Sequence, residues 1–170
     1  MKKVFYIFSF FFISVALHAQ SGSGAEGDPY YGTISTEVTW ISGRTVYIGI
    51  PDATLPYDDN DLIINAGGHL IIENGVTVIF KQPASDLIIT GTGRLTADGT
   101  PEGQISFTRY SPANSYWGHI SFQSMGSAGN SLIDNCIIEY GDVRSNSGIA
   151  KYGGGIYADF SNLTIKNSKV

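Results

Sequence analysis

The chain has 170 residues, a net charge of -5 and one cysteine. An acidic chain with few basic residues argues against nucleic acid and anionic membranes as partners. A single cysteine excludes an internal disulfide framework and a thiolate zinc cluster.

Lys2 and Lys3 precede an apolar run from Val4 to Leu17, followed by His18-Ala19-Gln20. A basic start, a short apolar stretch and a small residue describe a secretory signal peptide cleaved after Ala19. The run is shorter than the ~20 apolar residues of a membrane span. Cleavage leaves 151 of 170 residues and, without Lys2 and Lys3, a net charge of -7. All 21 glycines lie in that part. Secretion or cell-surface display is the expected location, with no membrane span after cleavage. Residues 20–32, rich in Gly and Ser, read as a flexible linker.

Beyond residue 20 no helical periodicity stands out. Thr33 to Ile50, with Val38-Trp40 and Val46-Ile48-Ile50, precedes the first regular repeat, and 33–61 reads as an N-terminal capping segment. Asp58-Asp59-Asn60-Asp61 follows. Oxygen-rich clusters suit Ca2+, so Asp58, Asp59 and Asp61 are the metal candidates. The cluster lacks EF-hand spacing, and the simpler reading is a solvated loop without a cofactor.

From Leu62 onward, short segments alternate with a period of two and end at Gly, Asn, Asp or Pro. Leu62-Ile64, Leu70-Ile72, Val76-Val78-Phe80, Leu87-Ile89, Leu95-Ala97, Ile105-Phe107, Ile120-Phe122 and Leu163-Ile165 follow this rule. Ile133-Asp134-Asn135-Cys136 recurs 32 residues later as Ile165-Lys166-Asn167-Ser168, and Ile120 matches Ile156 at a separation of 36. About twelve strands then fall into four groups, 62–80, 87–108, 118–139 and 154–170. The expected fold is all-β, a solenoid of about four coils with three parallel sheets. Asn135 and Asn167 are expected to form an amide ladder at one turn. Asp134 is expected to pair with Lys166. Cys136 is expected to be a buried structural thiol.

Asp61 to Phe80, Gly91 to Thr108, Trp117 to Phe122 and Gly153 to Tyr157 resemble the coils of secreted right-handed parallel β-helix repeat proteins. The resemblance spans roughly Glu37 to Val170 and implies a right-handed β-helix on an exported or surface protein. It implies no single activity. The repeat pattern is still in force at Val170, so the solenoid 62–170 is expected to be truncated there. A covering partner or self-association is the alternative.

Catalytic motifs are weak. Asp134, Glu139 and Asp159 are the acids of the later coils, and none forms the carboxylate pair that glycoside hydrolysis needs. His69 and His119 lack ligand-spaced partners and read as outward strand or turn residues. Gly91-Thr92-Gly93 and Gly153-Gly154-Gly155 precede no helix and are turn glycines rather than phosphate loops. Aromatic residues remain. Tyr110, Tyr116, Trp117, Tyr140 and Tyr152 fall near the loops 109–117 and 141–153, where ring faces can meet sugars or a protein surface. The expected function is a non-catalytic scaffold that binds or displays to extracellular glycan or protein surfaces. The alternative is the N-terminal part of a carbohydrate-active β-helix enzyme, a polysaccharide lyase or glycoside hydrolase, whose catalytic coils lie downstream.

Overall fold

The computed structural model describes residues 21–50, 60–83, 85–111, 116–123, 130–142, 154–159 and 161–170. The leader, Asp58, Asp59 and Tyr152 lie outside them. Among the described residues there are fourteen strands, beginning with β1 (Gly32–Ile34), β2 (Glu37–Trp40), β3 (Thr45–Ile48), β4 (Leu62–Ile64), β5 (His69–Ile72), β6 (Thr77–Phe80) and β7 (Leu87–Thr90). They continue with β8 (Arg94–Asp98), β9 (Ile105–Arg109), β10 (Ile120–Gln123), β11 (Ser131–Asp134), β12 (Cys136–Ile138), β13 (Ile156–Asp159) and β14 (Leu163–Lys166).

Each sheet takes every third strand. The first sheet runs β1-β4-β7-β10-β13, the second β2-β5-β8-β11-β14 and the third β3-β6-β9-β12. Neighbours within a sheet are parallel. The molecule is therefore a parallel β-solenoid with no helix among the described residues. None of those residues forms a helix long and apolar enough to cross a membrane.

The register agrees with the repeats. Ile133 pairs with Ile165 and Asp134 with Lys166. Ile120 pairs with Ile156. Alternation selects the interior: Leu62, Ile64, Leu70, Ile72, Val78, Phe80, Leu87, Ile89, Leu95, Ala97, Ile105 and Phe107 are all fully buried. Like residues stack on like because each strand sits about 4.8 Å from the one before. The inward side chain of one coil thus becomes the floor for the next. Leu163 and Ile165 follow the same alternation, but Ile165 is 45% exposed. β14 is at the edge of its sheet and has a strand on one side alone.

Three expectations need adjustment. Gly32, the last residue of the expected linker, and residues 33–48 of the expected capping segment 33–61 supply one regular strand to every sheet, with Gly32 opposite Leu62, Glu37 opposite His69 and Thr45 opposite Thr77. Residues 21–31, read as a linker, carry ordered backbone bonds. Ser21 N–H donates to Tyr31 O at 2.9 Å, Tyr30 N–H to Tyr47 O at 2.8 Å and Tyr47 N–H to Gly24 O at 3.0 Å. The two bonds to Tyr47 occupy the outer edge of β3. Gly24 is needed there for a specific turn: its φ is +76°, and a Cβ would stand 2.4 Å from the Tyr30 ring. Finally, Asn135 and Asn167 both adopt φ near 49°, which asparagine tolerates. They do not form a ladder with each other. Asn135 Nδ2 donates to Gly99 O at 3.2 Å, and Asn167 Nδ2 donates to Asp134 Oδ1 at 2.9 Å.

Candidate functional site

The outer face of the third sheet brings together two of the aromatic candidates, Tyr110 and Tyr140, with Tyr47. On β3, Val46 and Ile48 point inward, which turns Tyr47 outward. Tyr47 is opposite Ile79 on β6, and Ile79 is opposite Thr108 on β9. The residues that follow β6, β9 and β12 add Lys81, Tyr110 and Tyr140. Tyr110 is 41% exposed and Tyr140 48%.

The rings are held by their neighbours. Tyr47 and Tyr110 meet edge to face, with centroids 6.2 Å apart. The Lys81 ammonium lies 5.2 Å from the Tyr110 ring centre, and the Arg109 guanidinium lies 3.9 Å from that of Tyr140. Cations over aromatic faces are attracted by the ring quadrupole. The Tyr110 hydroxyl donates to Glu26, and this carboxylate pushes the phenol above its ordinary pKa. Thr108 Oγ1 donates to Glu139 Oε1 at 3.0 Å. The face therefore offers tyrosine rings flanked by both signs of charge and by hydroxyls.

Trp117 plays a different part from the ligand contact expected of it. It is fully buried and stacks on Phe80 with centroids 3.9 Å apart. It has no surface to offer a ligand. Its indole N–H donates to Glu139 O at 2.7 Å, and its backbone N–H donates to Tyr140 O at 3.1 Å. Both bonds fix the backbone at Tyr140, whose φ is 62°. A bulky side chain in the left-handed region is strained and persists only where its surroundings enforce it. Trp117 is thus a positioning residue for Tyr140. Tyr116, half-buried, precedes it. Tyr152 lies outside the described residues.

Tyr47 was missed in the sequence because it sits in the segment read as a cap. The signal was present: Thr45-Val46-Tyr47-Ile48 aligns with Thr77-Val78-Ile79-Phe80 at a separation of 32 residues.

The remaining candidates find other partners. Asp61 Oδ1 accepts the Asp86 N–H at 2.9 Å, so it is tied to the next coil. Among the described residues no three His, Cys, Asp or Glu side chains converge as a metal site would require. Asp134 pairs with Lys166 at 2.8 Å, as expected, with the carboxylate nearly buried and the ammonium exposed. The Lys166 bond, then the Asn167 bond, hold the Asp134 carboxyl below the usual carboxylate range, and Asp134 in turn raises the Lys166 ammonium. Cys136 is buried, as the sequence indicated; burial pushes its thiol up to about 12.

One histidine departs from expectation and one follows it. His119 is buried rather than outward, and its backbone N–H donates to Asp86 Oδ1 at 2.8 Å. Gly118 makes this possible, since a Cβ there would come 1.6 Å from that oxygen. His69 is on the outer face of the second sheet and is bonded on both ring nitrogens, to Glu37 Oε2 and Thr96 Oγ1. Compared with known proteins, the chain matches no family model, no curated protein and no solved structure.

Proposed function

We propose that this β-solenoid is an exported, right-handed scaffold that binds extracellular glycans through the outer face of its third sheet. The observation that carries this reading is the exposed pair Tyr110 and Tyr140, each ordered by a cation on its ring, beside Tyr47. Amphipathic rings present apolar faces to sugar rings and hydroxyls to their polar edges. Rings already held in place lose less side-chain freedom on binding, which favours affinity. Glu139, Thr108, Lys81 and Arg109 supply polar groups around them.

Supporting the exported location are the basic start, the short apolar run and Ala19. Right-handedness follows the strong preference of parallel β crossovers. Segment 21–31 serves as the cap in this reading, because a covered edge strand cannot recruit another chain.

A glycan array probed with the wild-type protein, Tyr110→Ala and Tyr140→Ala tests the proposal. Each substitution is expected to weaken binding by about tenfold or more, as loss of an aromatic anchor does. Equal binding by all three proteins would remove the tyrosine face as the site.

A further inference from the structure

Glu37, His69 and Thr96 lie on β2, β5 and β8, three successive strands of the second sheet. Glu37 is opposite His69, and Thr96 is opposite Ile71, two residues beyond His69. Their inward neighbours Leu70 and Leu95 are fully buried, so these polar side chains occupy the outer face. His69 Nδ1 is 3.2 Å from Glu37 Oε2, and His69 Nε2 is 2.9 Å from Thr96 Oγ1.

The proton positions follow from the chemistry. A carboxylate accepts hydrogen bonds and donates none, so Nδ1 carries the hydrogen. The Nε2 lone pair of the neutral ring then accepts the Thr96 O–H. The His69 side chain is 14% exposed and that of Glu37 66%. The base is thus sheltered while its orienting partner is solvated. A carboxylate holding an imidazole against a hydroxyl is the arrangement that activates an alcohol for attack on a carbonyl. Arg94 is opposite His69 and stands two residues before Thr96 on the same face of β8, exposed to solvent. Its charge is placed to favour an oxyanion.

We propose that Thr96 accepts an acyl group from a carboxylic ester, with His69 as general base and Glu37 as positioning residue. Thr96 Oγ1 forms a bond to the carbonyl carbon and gives its proton to His69 Nε2. The ester C–O bond then breaks, its electron pair leaves on the alcohol oxygen, and His69 returns the proton to it. Water, activated by the same imidazole, later releases the acid and restores Thr96. This site is on a different sheet from the tyrosine face and does not depend on glycan binding.

The test uses the purified chain and p-nitrophenyl acetate. A stoichiometric burst of p-nitrophenolate and an acetyl mass on the peptide containing Thr96 are expected. Thr96→Ser keeps both, and Thr96→Val loses both. His69→Gln slows acylation roughly 100-fold or more, within the range of general-base catalysis. Glu37→Gln lowers the maximal acylation rate without changing the half-saturating ester concentration, and Glu37→Asp recovers part of it. Melting curves confirm that each variant is folded. An acetyl group found on a residue other than Thr96, or an undiminished burst from folded Thr96→Val, would overturn the proposal. Failure of the wild-type protein to release p-nitrophenolate above a buffer control would also overturn it, whatever its glycan binding.

Discussion

Leu70 and Leu95 stack in the interior between β5 and β8, while His69 and Thr96 bond across the outer face of the same two strands. The two sides obey different rules. Inside, every coil repeats the same choice, an apolar side chain with no exposed area, from Leu62 through Phe107. Outside, each sheet carries its own set. The second sheet has the Glu37–His69–Thr96 chain, and the third has Tyr47, Tyr110 and Tyr140 with their cations. The apolar stack repeats from coil to coil, whereas the outward positions carry different residues on each sheet. This division explains why an ordinary repeat can carry unrelated chemistry on its faces.

The most severe way to break the division is to place a charge inside. Ile133 is fully buried between Ala97 and Ile165. Ile133→Asp would bury an unpaired carboxylate at a cost of several kcal/mol. Thermal melting should show loss of the cooperative transition or a large fall in its midpoint. Next comes the packing of Phe80 against Trp117. Phe80→Ala should destabilise by about 3–5 kcal/mol in denaturant titration. It should also weaken glycan binding, because Trp117 then holds Tyr140 less firmly.

Tyr140 separates stability from function at a single position. Its φ of 62° suits glycine better than any L side chain. Tyr140→Ala and Tyr140→Gly should both lose binding, yet the glycine variant should be the more stable by about 1 kcal/mol. Equal midpoints in urea would show that the backbone relaxes once the ring is gone.

The smallest effect concerns the Asp134–Lys166 pair. Asp134 titrates below its unfolded value, so its contribution is complete above the ordinary carboxylate range of about 3.9 and is lost as pH falls through the lower folded value. Lys166 titrates above its unfolded value, so its contribution is complete below about 10.4 and is lost as pH rises through the raised folded value. Lys166→Met should flatten both flanks of the stability–pH curve. Identical curves for the two proteins would show that the pair adds nothing.

The interior was legible in the sequence because alternation and repeat separation both encode it. Ile133 with Ile165 and Ile120 with Ile156 were placed in correct register on those grounds. The outer faces were much less legible. Coil length varies, with Leu62 to Leu87 spanning 25 residues and Ile120 to Ile156 spanning 36, so outward neighbours have no fixed separation. His69 reaches Thr96 along a diagonal, 27 residues away, and Glu37 across 32. No local motif reports such a chain. Trp117 was placed near the site but facing the wrong way, since aromatic character alone does not distinguish a ring that meets a ligand from one that fills the core. His119 was misread for a similar reason: its backbone is tied to Asp86 of the preceding coil, a contact that needs the absence of a Cβ at Gly118 and that no local pattern reports.

The most direct test of this account compares the two faces in one binding experiment. Wild-type protein, Tyr110→Ala, Tyr140→Ala and Thr96→Val would be titrated against the best-bound glycan from the array by isothermal calorimetry. The account predicts that the two tyrosine variants lose about tenfold or more in affinity and that Thr96→Val binds as the wild type does. Unchanged affinity in both tyrosine variants, or an equal loss in Thr96→Val, would contradict it.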